Sequence, residues 1–186
     1  MNIGFAMCGS FCTYSSIFPV MKALAQFHTV IPIFSHSAYT IDSRFGTAQS
    51  HIQLAEDICG RAPLHTIAQV EPIGPKKLLD ALVIAPCTGN TLAKLAHSIA
   101  DSPVSMAAKS HLRNGRPVLI AVSTNDALSG AAENIGKLLG RKHYYFVPFG
   151  QDDPEKKPTS MISDFTLIPQ ALDAALNGKQ LQPILL

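Results

Sequence analysis

A chain of 186 residues is long enough for one large α/β domain and short for two, and with 47% of its residues apolar it can bury a core without disulfides or a structural metal. A formal net charge of +2, with no Lys/Arg run beyond a pair, argues against a nucleic-acid or membrane-surface partner and favours small molecules or proteins. The 4 cysteines form no CxxC pair or zinc-finger spacing, no apolar run approaches the ~20 residues of a membrane span, and no basic leader precedes the first strand, so reduced thiols in a cytoplasm are expected.

Five short, near-continuously apolar runs predict strands at Ile3 to Met7, Val30 to Phe34, Ala81 to Ala85, Val118 to Val122 and Tyr144 to Val147. Helical patterns separate them. The first covers Thr13 to His28, with Pro19 marking an early turn or kink, and the second covers Ser50 to Cys59, with Gly60 placed as its C-terminal cap. Glu71 to Pro75 is a breaker and reads as a loop. Two helices follow the third strand, near Asn90 to Ala100 and Val104 to Arg113, and a further one covers Ser129 to Leu139. Residues 148 to 160 predict a long irregular loop, before a last helix at Asp164 to Leu176 and an apolar tail. This alternation is the pattern of a single three-layer, doubly wound, flavodoxin-type parallel sheet with helices on both faces, which binds ligands outside the carboxyl ends of its strands.

The strand ends carry the chemistry. Gly9 and Ser10 follow strand one, Ser35 and His36 follow strand two, Pro86 to Thr91 follow strand three, and Ser123, Thr124 and Asn125 follow strand four. In a parallel sheet these turns share one edge and can build one cleft rich in neutral hydrogen-bond donors. Gly9 lets backbone approach a phosphate closely and Ser10 offers a hydroxyl, although a Gly-Ser turn also serves as a plain connection. There is no G-x-G-x-x-G and no P-loop lysine.

The order Pro86, Thr88, Asn90, Thr91, Ala93, Lys94, Ala96, followed by Ile99, Ala100 and Asp101, resembles the flavoprotein family that includes flavin-containing cysteine decarboxylases and flavin prenyltransferases. The resemblance implies FMN, with its phosphate at Gly9, Ser10 and Ser35. Its ring system would pack on Pro86, Thr88, Gly89, Asn90 and Thr91, beside Ser123 and Thr124, and Asn125 would face substrate or flavin. It also implies homo-oligomers, trimers or multiples of trimers. Further motifs resemble one branch of that family: Arg44 to Gly46, Ser102 to Lys109, Arg113 to Pro117, Ser123 to Leu128, Pro148 to Pro154 and the terminal Leu181 to Leu185. That branch implies one component of a two-component synthase that aromatises a cyclic dicarboxylic imine in the mother cell of sporulating bacteria. Its separately encoded partner is similar to NAD(P)-dependent dehydrogenases.

Two departures matter. Decarboxylases of the family carry a His-Ile pair where this chain has Pro72 and Ile73, and their Met-Trp motif is replaced by Ser123 to Leu128 in a chain with no Trp. The imidazole that would act as acid or base is therefore missing, and cysteine decarboxylation is disfavoured. For the implied oxidation, Arg44 and Asn125 are candidate carboxylate binders and His36 a candidate proton shuttle. Arg44 reads equally as a surface or intersubunit ion pair, and His36 also as an exposed histidine. Cys8, Cys12 and Cys87 read as packing residues, and the charges at Asp152 to Lys157 as a solvated or partner-contacting loop. A non-catalytic accessory role is the alternative to an oxidoreductase.

Overall fold

The computed structural model describes residues 1–186. Five parallel strands form the sheet: β1 (Asn2–Met7), β2 (Thr29–Phe34), β3 (Ala81–Cys87), β4 (Val118–Thr124) and β5 (Tyr144–Phe146). Their order is β2-β1-β3-β4-β5, the flavodoxin-type arrangement expected from the alternating pattern. Strands β1, β3 and β4 are buried almost throughout because both sheet faces are covered, and neighbouring residues alternate between two cores. Ala6, Ile84 and Ile120 enter one core, while Phe5, Val83 and Leu119 enter the other.

The helices are α1 (Tyr14–Ala25), α2 (His36–Thr40), α3 (Ala48–Cys59), α4 (Ile67–Val70), α5 (Gly89–Ala96), α6 (Pro103–Leu112), α7 (Ala132–Leu139) and α8 (Ile168–Leu176). Pro19 lies inside α1 on its exposed face. There the carbonyl that loses its N–H partner can be hydrated. Gly60, at φ 67°, ends α3 as expected. The stretch 71–75 is not a simple loop, because Glu71–Ile73 continues α4 as a 3-10 turn.

Three other expectations change. Helix α5 starts at Gly89 rather than Asn90, because Thr88 is its N-cap, and it ends at Ala96 rather than Ala100. Its end is a Schellman motif: Ser98, at φ 59°, allows Ile99 N–H to reach the Lys94 carbonyl and Ser98 N–H the Leu95 carbonyl. Serine in the position that favours glycine left no sequence signal. His36 is not in a loop but opens α2, which Ser35 caps by accepting the Ala38 N–H.

The largest change concerns residues 148–160. Phe149–Gln151 of that segment form a strand, β6, which pairs antiparallel with β7 (Met161–Ser163), and β7 pairs antiparallel with the end of β4, while 152–160 remain irregular as expected. Ser163 anchors the hairpin: its hydroxyl accepts the Val122 N–H at 2.8 Å and donates to the Val147 carbonyl at 3.2 Å, in the buried interior. The apolar tail adds to the same hairpin, with Phe149 N–H bonded to the Ile184 carbonyl and Leu186 N–H to the Phe149 carbonyl.

Candidate functional site

The carboxyl ends of the strands build two adjoining cavities that share Thr88. The first, about 440 Å³, collects Gly9 from the turn after β1, Ser35, His36 and Ser37 from the start of α2, and Thr88, Asn90, Thr91 and Lys94 from the start of α5. Ser102, the N-cap of α6, closes one side. Its lining is almost wholly polar, with one cation and no carboxylate. The second, about 620 Å³, lies between Ser10, Thr88, the end of β4 with Asn125 after it, and Asp152, Lys157 and Ser160 between β6 and β7.

Side-chain hydrogen bonds hold the wall between the cavities. Thr88 accepts the Thr91 N–H and donates to the Thr91 hydroxyl at 3.2 Å, and Thr91 donates in turn to the Cys8 sulfur at 3.3 Å. Ser10 donates to the Ser123 carbonyl at 2.8 Å, tying the turns after β1 and β4 together across β3. Its proton is thereby committed within the protein, while its oxygen can still accept. Burial pushes the Cys8 thiol up to about 11, an effect larger than the opposing Thr91 hydrogen bond, and burial raises Cys87 well above the usual range. Both are protonated packing groups at neutral pH.

Six of the expected residues, Gly9, Ser35, His36, Thr88, Asn90 and Thr91, line the first cavity. Ser10, Ser123, Thr124 and Asn125 line the second, again with Thr88. Three lie elsewhere. Pro86 is buried inside β3, at the register shift between Ile84 and Cys87 that accommodates a residue lacking an N–H. Gly89 is pressed against the turn after β4, where a Cβ would come within 2.7 Å of Asp126 Oδ1 and 2.9 Å of Thr124 Oγ1. Arg44 is exposed, its guanidinium 4.8 Å above the Phe45 ring, and it lines neither cavity.

Sequence reasoning did not place Lys94, Ser102 or the pair Asp152 and Lys157 at the cavities. Lys94 lies one turn after Asn90 on the same helix face, a spacing that could have placed it. Its ammonium reaches Asp101 at 2.7 Å. The Asp152–Lys157 pair, 3.0 Å apart, arrives only because the hairpin folds back. Burial alone would raise the Asp152 carboxyl, but hydrogen bonds from Ser160 and Lys157 outweigh it and hold the group below its ordinary value.

The model of the family described as Flavoprotein matches residues 1–153. The chain is 45% identical over 185 residues to the B subunit of dipicolinate synthase from Bacillus subtilis (strain 168), covering 99% of this chain and 92% of that protein. Its structure is similar to the crystal structure of the same B subunit from Bacillus halodurans, with a TM-score of 0.91 and 42% identity over 100% of this chain and 95% of that one. The FMN-dependent cysteine decarboxylase SpaF shares the fold at a TM-score of 0.70, with 22% identity over 95% of each chain. The chain therefore belongs to the Flavoprotein family, in the branch of the dipicolinate synthase B subunits.

Proposed function

We propose that this chain is the FMN-binding component of a dipicolinate synthase and contributes to oxidation of dihydrodipicolinate to pyridine-2,6-dicarboxylate during sporulation. The observation that carries the reading is the pairing of a nearly all-polar cavity with a larger one across Thr88, at the edge where this fold binds ligands.

The donor set of the first cavity suits a flavin phosphate. Gly89 and Asn90 occupy the first turn of α5, whose amides have no intrahelical acceptor and carry partial positive charge. The Ser35 oxygen accepts the Ala38 N–H, which leaves its proton free to donate. Lys94 adds the cation. When bound there, FMN supplies a two-electron acceptor.

The second cavity then receives the substrate. Lys157 is the one cation lining it, and Asn125, whose carbonyl accepts the Thr159 hydroxyl, has a side-chain amide that can donate to a carboxylate. Loss of two electrons and two protons makes an aromatic ring, so positioning matters more than a strong base. Membership of the B-subunit branch supports a partner, the dipicolinate synthase A subunit, which we take to carry NAD(P), and the dodecameric assembly of one structural relative supports a homo-oligomer, which we take to be built from trimers.

One observation favours the accessory reading. The only carboxylate lining the second cavity, Asp152, is held ionised by Lys157 and Ser160 and is a weak proton acceptor. Turnover of dihydrodipicolinate by the purified chain with added FMN, with and without the partner protein, separates the two. Loss of turnover in Asn125→Ala and Lys157→Gln within the reconstituted pair supports catalysis here. Unchanged turnover in both supports the accessory role.

A further inference from the structure

Away from the strand ends, a third cavity of about 400 Å³ opens between the end of α5, the last turns of α6 and the start of β5. Leu95, Ile99, Leu112 and the Tyr144 ring form an apolar floor. Around it stand Lys94, Lys109, Arg113 and Arg141, with no Asp or Glu in the lining. Four of the 15 Lys and Arg of a nearly neutral chain thus share one small wall.

Helix dipoles account for part of this. Lys109 lies in the last turn of α6, and Arg141 donates to the Leu95 and Ala96 carbonyls at the end of α5, at 3.1 and 2.7 Å. Those carbonyls take hydrogen bonds but do not cancel the charge. Lys94 has Asp101 as its counter-ion. Lys109 and Arg113 have neither an ionic nor a hydrogen-bond partner for their side chains, and they sit four residues apart, where like charges destabilise a helix. The Tyr144 hydroxyl is also without a partner in the protein, and burial raises it to about 12, so it stays a donor at neutral pH.

We propose that this cavity is a second binding site, for a small cyclic carboxylate bearing two carboxylate groups. A ring covers the apolar floor, one carboxylate meets Arg113 and Lys109, and the other meets Arg141 and Lys94. Guanidinium groups match planar carboxylates by paired hydrogen bonds, and the volume lies within the range of small-molecule pockets. A bare phosphate would leave the floor uncovered. The site also touches the strand ends, since Lys94 lines both this cavity and the first strand-end cavity, and the Ser102–Ser105 capping box stands between them. A ligand carboxylate competes with Asp101 for the Lys94 ammonium. The inference does not depend on flavin binding.

The test is a titration of the full chain with pyridine-2,6-dicarboxylate at low salt, followed by backbone amide NMR, with benzoate and inorganic phosphate as comparison probes. The expected result is saturable shifts at Ile99, Leu112 and Tyr144. In Lys109→Gln/Arg113→Gln these weaken by about tenfold or more. They persist in Asn125→Ala, which perturbs only the strand-end cavity. Both substituted α6 side chains are exposed, so the variant folds, and its amide spectrum reports this directly. Absence of these shifts in the wild-type chain overturns the proposal, as does unchanged affinity in the double variant. Equal affinity for phosphate or benzoate overturns the ligand class. Dissociation of an oligomer in the double variant assigns these cations to an interface between copies instead, and also overturns it.

Discussion

Gly89 is the residue whose replacement most directly separates shape from chemistry. A methyl group there would meet the Asp126 Oδ1 and Thr124 Oγ1 atoms at 2.7 and 2.9 Å, so those two side chains must shift. We expect Gly89→Ala to weaken FMN binding by about tenfold while changing unfolding stability little, because alanine itself suits the first helical turn. Flavin fluorescence titration alongside urea unfolding checks both. His111 offers a pH-dependent counterpart far from the site. It is fully buried, bonded through Nε2 to the Pro117 carbonyl, and burial lowers it to about 4. The unfolded chain therefore takes up a proton first as pH falls below about 6.5, and stability present at pH 7 declines toward pH 4. Between pH 7 and 5 the loss from this group is about 2 kcal/mol. Urea unfolding at the two pH values should show it, and His111→Leu should flatten that slope.

The expected residues that line the cavities are mostly those that directly follow their own strand. Gly9, Ser35, Asn90 and Asn125 reach the cavities because each follows a parallel strand, and the strand ends are aligned by the sheet. Arg44 shows the limit. Its motif is local, but where a long connection delivers a side chain depends on packing, and here it is delivered to the surface. Asp152 and Lys157 are exposed, as their balanced charge suggested, and what the sequence did not show is that the hairpin also sets them along the second cavity.

Among elements, the strands were readable because fully buried parallel strands are continuous apolar runs. Helix starts were less so. Thr88, Asn90 and Thr91 are all good caps by type, and only the hydrogen bonds distinguish Thr88. The β6–β7 hairpin was invisible because each strand has 3 residues and its support is non-local. Much of that support converges on Ser163. Replacing it with alanine leaves the buried Val122 N–H without an acceptor, which costs about 1–3 kcal/mol. We expect Ser163→Ala to lower the urea midpoint accordingly. Because the hairpin holds Lys157 over the second cavity, the same variant should raise KM for the dicarboxylate substrate more than it lowers kcat, measured in the reconstituted pair.

At the level of the whole molecule, the fold gathers the strand-end cavities at one edge and leaves other surfaces free for partners. A cavity of about 710 Å³ between α1 and α3 has a mixed lining that includes Leu54, Ile58, Lys22 and Asp57. No helix is long and apolar enough to cross a membrane. The segment Ser123 to Leu128, which replaces the decarboxylase Met-Trp motif, begins with three residues that line the second cavity, Ser123, Thr124 and Asn125.

The central proposal, that the first strand-end cavity beside Thr88 takes the phosphate of a bound FMN, is tested most directly by titrating the purified chain into FMN and following flavin fluorescence and visible absorption. The account predicts saturable binding of one flavin per chain, with a shifted visible band. It also predicts that Asn90→Ala weakens binding while leaving the unfolding transition in place. Absence of saturable binding in the wild-type chain, or flavin binding unaltered by both Asn90→Ala and Gly89→Ala, would contradict it.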